Sequence, residues 1–430
     1  MATIPIEPAN TETKPKNLLQ MLGPGLITGA SDDDPSGIAT YSQVGAQFGY
    51  GMLWTMLFSY PLMTAIQAIC GRIGRVTGRG IASNLRRHYP NWLACTVVGL
   101  MVVANTINIG ADIAAMGEAL RLLIGGPALV YAVLFGLASL LLQVFIPYTQ
   151  YARVLKWLTF ALFAYVAVVL SARVPWGQAL KATVIPHISF KTKYLTAFIA
   201  VLGTTISPYL FFWQASEEAE EVADTPDDKP LKRAPEQAPE QLRRIKMDTA
   251  VGMAFSNLVA FFIILTCAVT LNANNVKNID TAAQAAEALR PIAGRFTFFL
   301  FSAGIIGTGL LALPVLAGSA AYAVGEIFRW PVSLESKPSE AKGFYGVLAA
   351  AICIGTALNF TSINPIKALF WTAVINGVVA GPVMVMIMLL GNNPKAMGEF
   401  TLSPLLKAAG WIATLVMLAA AIGMFATWGR

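Results

Sequence analysis

Eleven apolar stretches run through this chain, at about residues 18–46, 49–71, 91–120, 126–147, 154–172, 194–221, 248–271, 296–328, 343–360, 366–390 and 403–428. Each is near or above the ~20 residues that an α-helix needs to cross a bilayer. They are continuous and lack the ten-residue alternation of membrane barrel strands. The pattern predicts an all-α integral membrane protein with about 11 transmembrane helices. Of the 430 residues, 56% are hydrophobic and only 12% charged, against about 25% charged in soluble domains. A soluble enzyme is excluded, and no catalytic role is expected.

The formal charge of +7 has a topological origin. With the N-terminus placed in the cytoplasm and the segments alternating, 20 of the 30 Lys and Arg fall on the cytoplasmic side. That obeys the positive-inside rule and argues against a nucleic-acid surface. The expected location is the inner or plasma membrane of the cell, multi-pass. Residues 1–17 form a polar cytoplasmic tail unlike a cleaved signal peptide. Cys70, Cys95, Cys267 and Cys353 all sit in apolar runs without metal-ligand spacing, as small buried hydrophobes would. Residues 222–246, rich in Pro, Glu and Lys, read as a flexible cytoplasmic linker. Glu217, Glu218, Glu220 and Glu221 just before it fit a solvated helix end, with a cation-gathering funnel as the alternative.

Two apolar runs are broken. The first carries Asp32, Asp33, Asp34, Pro35, Ser36 and Gly37 in mid-span. Asp34-Pro35 is an ordinary helix start, but a charge at mid-membrane costs at least ~3 kcal/mol. Unwound backbone at that depth survives only when buried in protein or lining a cavity. The sixth run is cut at Ile206-Ser207-Pro208, where a plain proline kink is the simpler alternative. Breaks in the first and sixth segments point to two five-helix repeats of inverted topology: 18–173 and 194–390, with 403–430 as an additional C-terminal helix. Such breaks mark the midplane site of a secondary transporter. Ser31, Asp33, Asp34, Ser36, Thr204 and Ser207 all offer oxygen, and the breaks hold no Cys, Met or His. Oxygen donors suit Mg²⁺, Ca²⁺ and Mn²⁺ rather than Zn²⁺ or Cu⁺.

The stretch GPGLITGASDDDPSGIATYSQVGAQFGYGMLW resembles the first helix of the Nramp family of divalent-metal transporters, through Asp34, Pro35, Ala39, Thr40, Gln43, Gly45, Ala46, Gly49 and Tyr50. The resemblance implies a LeuT-like fold and a divalent metal cation, Mg²⁺ or Mn²⁺, as the transported partner within the lipid bilayer, with no further cofactor. It implies Asp34 as the central ligand, with Ser31, Thr204 and Ser207 contributing by position and Asp33 beside them. The family's ligating Asn falls at Gly37 and its sixth-helix Met at Ser207, so the soft sulfur is gone. The pattern is similar to the magnesium-transporting branch of the family. Tyr209 and Gln214 stand where the family has histidines, and Asp112 is retained in the third segment. The family's Glu three residues after Asp112 is Ala115, with Glu118 further along. Asp112, Glu118, Tyr209 and Asn376 are candidate pathway residues. Uptake driven by membrane potential without protons is expected. The rivals are proton-coupled Mn²⁺ or Fe²⁺ transport, an amino-acid or amine transporter on the same fold, and a non-transporting receptor. The oligomeric state stays open, and a monomer is compatible with the sequence.

Overall fold

The computed structural model describes residues 28–29, 31–146, 160–334, 337–361 and 363–428; most of the first half of the first apolar run therefore lies outside the described residues. Among the described residues the regular structure is helical throughout. The first repeat comprises α1 (Pro35–Phe48), α2 (Trp54–Thr77), short α3 (Ile81–His88), α4 (Asn91–Ile124), α5 (Ala128–Phe145) and α6 (Phe163–Ser171). A surface helix α7 (Trp176–Val184) leads to the second repeat: α8 (Thr192–Thr205), α9 (Pro208–Asp224), α10 (Ala238–Thr270), α11 (Thr297–Phe328), α12 (Lys342–Leu358) and α13 (Pro365–Gly391). Helix α14 (Pro404–Thr427) follows.

The two halves share two features. Each opens on a helix interrupted by a proline at the first position of its second part, Pro35 and Pro208. In each, the third long helix, α4 or α11, runs for 34 or 32 residues, and these two pack extensively on each other. Inverted five-helix repeats with broken first and sixth helices, as in the LeuT fold, account for this arrangement.

Among the described residues seven helices are long and apolar enough to cross a membrane, or eight if α1 and α2, joined at a 107° bend, count as one. The eleven runs of the sequence exceed this count because parts of the first and fifth runs lie outside the described residues, α12 has only 17 residues, and α1 and α2 qualify only as one bent pair. Gly381 and Pro382 lie inside continuous α13.

Packing around the breaks uses glycine where backbones meet. A Cβ on Gly203 would strike the backbone of Ala373 and Gly377, and one on Gly377 would lie 2.5 Å from the Ile199 carbonyl. This small-residue seam lets α8 lie directly on α13. Leu57, Phe58, Val103, Leu137, Leu415 and Ile422 are exposed apolar residues on the outer faces, as lipid contact requires. Cys70 and Cys267 are buried as expected, whereas Cys95 and Cys353 are exposed.

Candidate functional site: the crossing of two broken helices

Ser31 and Asp32 are still helical, Asp33 lies in a bend, and Asp34 is extended, with φ −70° and ψ 170°. The chain re-enters a helix at Pro35. Asp34 is its N-cap: Oδ1 accepts from the Gly37 amide at 2.7 Å and the Ser36 hydroxyl at 2.7 Å. An N-cap carboxylate satisfies an orphan amide and complements the positive helix end. Oδ2 accepts from Asn108 Nδ2 on α4 at 2.9 Å. The same amide lies 3.3 Å from Asp112 Oδ2, one turn further along α4. Asp34 and Asp112 are buried, and Asp112 Oδ1 and Asn108 Oδ1 have no hydrogen-bond partner among the described residues. Asn108 escapes the sequence reading; its only signal is the four-residue spacing to Asp112.

At the second break α8 ends at Thr205, Ile206 and Ser207 are non-helical, and Pro208 opens α9. The Ser207 hydroxyl turns back to the carbonyls of Gly203 at 2.8 Å and Thr204 at 3.0 Å. The Thr204 hydroxyl donates to Val201 O at 2.9 Å. The breaks touch: the Tyr209 hydroxyl, at the start of α9, donates to the Ser31 carbonyl at 3.3 Å. Thr28 Oγ1 donates to Gln214 Oε1 at 2.8 Å.

Asp32 and Asp33 face α10. Ser256 Oγ lies 2.7 Å from Asp32 Oδ2 and 3.3 Å from Asp33 Oδ1. The break thus spreads its carboxylates in two directions, Asp34 towards α4 and its two neighbours towards α10. Among the described residues no three His, Cys, Asp or Glu side chains converge on one metal position.

Of the other expected residues, Gly37 supplies its amide to Asp34. A Cβ there would make only ordinary contacts, 3.4 Å from Tyr41 Cε2 and 3.4 Å from Asp32 O. Asn376 is buried on α13, which packs on α1 and α8, and its Oδ1 lacks a partner among the described residues. Glu118 pairs with Arg121 at 3.3 Å in a partly exposed position near the end of α4, and is not brought to the breaks.

The glutamates after the sixth run are not a solvated helix end. Glu218 is fully buried and pairs with Arg244 at 2.6 Å, which also reaches Glu221 at 3.1 Å. Glu220 accepts from Tyr322 and Ser333. Nor is the following segment a loose linker. Leu231 is buried, the amides of Leu231 and Lys232 donate to the carbonyls of Arg75 and Val76, and Asp228 pairs with Arg75 at 2.6 Å. Beside these contacts lies a cavity of about 840 Å³, lined by Arg79, Arg86, Arg87, Arg329, Glu220 and Glu326 among others. Glu326 accepts from the Ser83 amide at 2.8 Å and the Ser216 hydroxyl at 3.3 Å, joining α11 to α3 and α9. Tyr322, in the cavity wall, packs edge-to-face on Trp213.

Comparison with known proteins agrees with this fold. The chain is 23% identical over 427 residues to the divalent metal cation transporter MntH of Klebsiella pneumoniae (strain 342), covering 97% of this chain and 96% of that one. Crystal structures of the manganese transporter of Eremococcus coleocola share the fold. A point mutant superposes with a TM-score of 0.73 at 16% identity, over 99% of this chain and 89% of that one. Mhp1, a nucleobase-cation-symport-1 family transporter in a closed conformation, matches with a TM-score of 0.58 at 13% identity, over 95% of this chain and 93% of that one. The family described as natural resistance-associated macrophage protein-like, Nramp, matches residues 25–427, and the chain belongs to it.

Proposed function

We propose that this protein transports divalent metal cations across the cell membrane by alternating access, with Mg²⁺ as its principal substrate and Mn²⁺ as a second. The observation that carries the reading is the donor chemistry at the crossing. Asp34 and Asp112 meet there on the side-chain amide of Asn108, two carboxylates with no sulfur or imidazole between them, and Ser207 replaces sulfur at the second break. A hard cation that keeps several waters needs few direct protein ligands and room for its shell. Ser36, Gly37 and Ser207 are small enough to leave that room. The names of the similar proteins support metal transport as the class; the missing sulfur favours magnesium within it.

Membrane potential suffices as the driving force. One charge crossing 100 mV gains ~2.3 kcal/mol, so a divalent ion gains about 4.6 kcal/mol. At 1.4 kcal/mol per tenfold, that supports roughly a thousandfold accumulation or more. The excess of Lys and Arg on one side supports a cytoplasmic N-terminus and insertion in the plasma membrane. The test is Mg²⁺ and Mn²⁺ influx into liposomes containing the purified protein, with membrane potential set and internal pH recorded. Potential-driven Mg²⁺ entry without acidification, abolished by Asp34→Ala, is the expected outcome. Entry of Mn²⁺ alone, accompanied by acidification, would overturn both the substrate and the uncoupled mechanism.

A further inference from the structure

Residues 276–280 have no regular structure, yet side chains from two helices fasten them. Gln43 of α1 holds their main chain at two points: Oε1 accepts from the Ile279 amide at 2.9 Å, and Nε2 donates to the Lys277 carbonyl at 3.2 Å. Helix α13 holds the next residue. Asn364 Nδ2 donates to the Asp280 carbonyl at 3.0 Å, and Lys367 pairs with the Asp280 carboxylate at 3.1 Å. Gln43 is half-buried, while Asn364, Lys367 and Asp280 are exposed, so water can replace each of these bonds and little is lost when they part. The ends of the segment are set in firmer structure. Asn272 Nδ2 donates to the Ala46 carbonyl at 2.7 Å, and Thr281 with Gln284 forms the capping box of a short helix.

Within this polar stretch Ile279 is buried, between exposed Asn278 and Asp280. It joins the apolar cluster that contains Ile38, Ile366 and Leu369. Two spaces share it as a wall, together with Ala39 and Ile366. One is a cavity of about 300 Å³ lined by Gln43, Gln47, Asn278, Asp280 and Lys367 among others. The other is a gap of about 10 Å³ lined by Ile38, Ala115, Phe301 and Leu369 among others, at the lower limit for one water molecule. Ile38 stands one turn from the crossing, its amide donating to the Asp34 carbonyl at 3.1 Å. A polar cavity thus ends on an apolar stopper one helical turn short of Asp34. This face is opposite the arginine-lined cavity: α2 runs from Trp54, near the end of α1, to Thr77, beside Arg79, and its 24 residues rise about 36 Å.

We infer that residues 276–280 are a lid over the crossing, with Ile279 as its stopper and Gln43 as the positioning residue that latches it. The inference rests on the reading of the chain as a cation transporter. It adds which groups part when the site opens to this face. The two Gln43 bonds and the Asp280–Lys367 pair break, Ile279 withdraws from Ile38 and Ile366, and the cavity becomes continuous with the crossing. A hydrated cation does not pass a seated Ile279, because an apolar wall returns nothing for the water that the ion would shed.

The experiment uses the full-length protein in liposomes, with Cys70, Cys95, Cys267 and Cys353 replaced by alanine and Mn²⁺ as the probe. Asp280→Cys with Lys367→Cys places one thiol on the lid and one on α13, and a cleavable bifunctional thiol reagent joins them. Joining is expected to lower Mn²⁺ uptake by roughly tenfold or more, with recovery when the link is reduced. Mn²⁺ binding by the same linked protein in detergent, where both faces are bathed, is expected to be unchanged. In a second arm, Ile279→Cys is labelled by a thiol reagent that cannot cross the membrane. Gln43→Leu removes both latch bonds and is expected to speed that labelling by roughly tenfold or more. Gln43→Glu, which keeps the acceptor for the Ile279 amide, should fall between. This arm decides the matter if the double-cysteine variant misfolds. Uptake indifferent to the link, binding lost together with uptake, or labelling indifferent to Gln43→Leu would each overturn the lid and leave the transport reading intact. An unmodified protein that carries neither Mn²⁺ nor Mg²⁺ would instead sink the transport reading itself.

Discussion

Asp34 holds two roles that the sequence presents as rivals. It is the N-cap of α1, and it reaches Asn108 across the site. One geometry serves both, because capping leaves the second oxygen of the carboxylate turned away from the helix. Ser207 gives the sharpest test at this scale. Its hydroxyl closes the end of α8 on two carbonyls. Ser207→Met removes those bonds, at about 1 kcal/mol each, and places a soft thioether at the second break. Competition assays in liposomes should then show the Mn²⁺-to-Mg²⁺ preference rising about tenfold or more, since thioethers favour softer ions. An unchanged ratio would mean that the substrate is selected elsewhere. Asp34 was legible from sequence because a charged triplet followed by proline is costly in hydrocarbon. Asn108 was not, since an asparagine in a spanning helix serves equally well as packing glue, and only the folded structure puts it beside Asp34.

The breaks, the halves and the helix-to-helix order of the fold follow from hydropathy plus two prolines. What the sequence could not convey is how the ends of the elements are fastened. Acidic residues at a helix terminus read as solvated, because nothing local announces a partner on another element. Glu218 on α9 finds Arg244 on α10, 26 residues away, and both are largely shielded. Removing one member strands the other: Arg244→Ala leaves a buried carboxylate unpaired, and such losses cost about 3–5 kcal/mol. A thermal-unfolding scan in lipid or detergent should show a clear fall in midpoint. The double change Arg244→Met with Glu218→Leu should recover most of it, because the pair's value lies in mutual neutralisation. A drop that persists in the double variant would place the loss in something other than the stranded charge.

Viewed whole, the protein is a pair of repeats whose seams are backbone contacts at glycine and one end of which is tied by polar clasps. Gly203 and Gly377 hold α8 against α13, while Glu326 ties α11 to α3 and α9. Both half-helices are seated at glycine, α8 at Gly203 and Gly377 and α9 where Gly74 of α2 meets the backbone of Ala215, and α9 carries side-chain ties at Ser216 and Glu218 in addition. The segment after α9 belongs to the same clasp. It is laid along the end of α2 by two main-chain bonds and the Asp228–Arg75 pair. Any swing of α9 pulls on that strap. Lys232 and Arg233 are exposed at the strap's surface, yet a protease needs several residues of free, extended chain to cut there. Trypsin digestion should therefore act as a clock. Cleavage at Lys232–Arg233 is limited by how often the strap lifts when opening and closing are fast. Glu326→Gln, which weakens the clasp, should speed the cut without altering digestion elsewhere. A rate indifferent to that change would mean the strap rides through the transport cycle undisturbed.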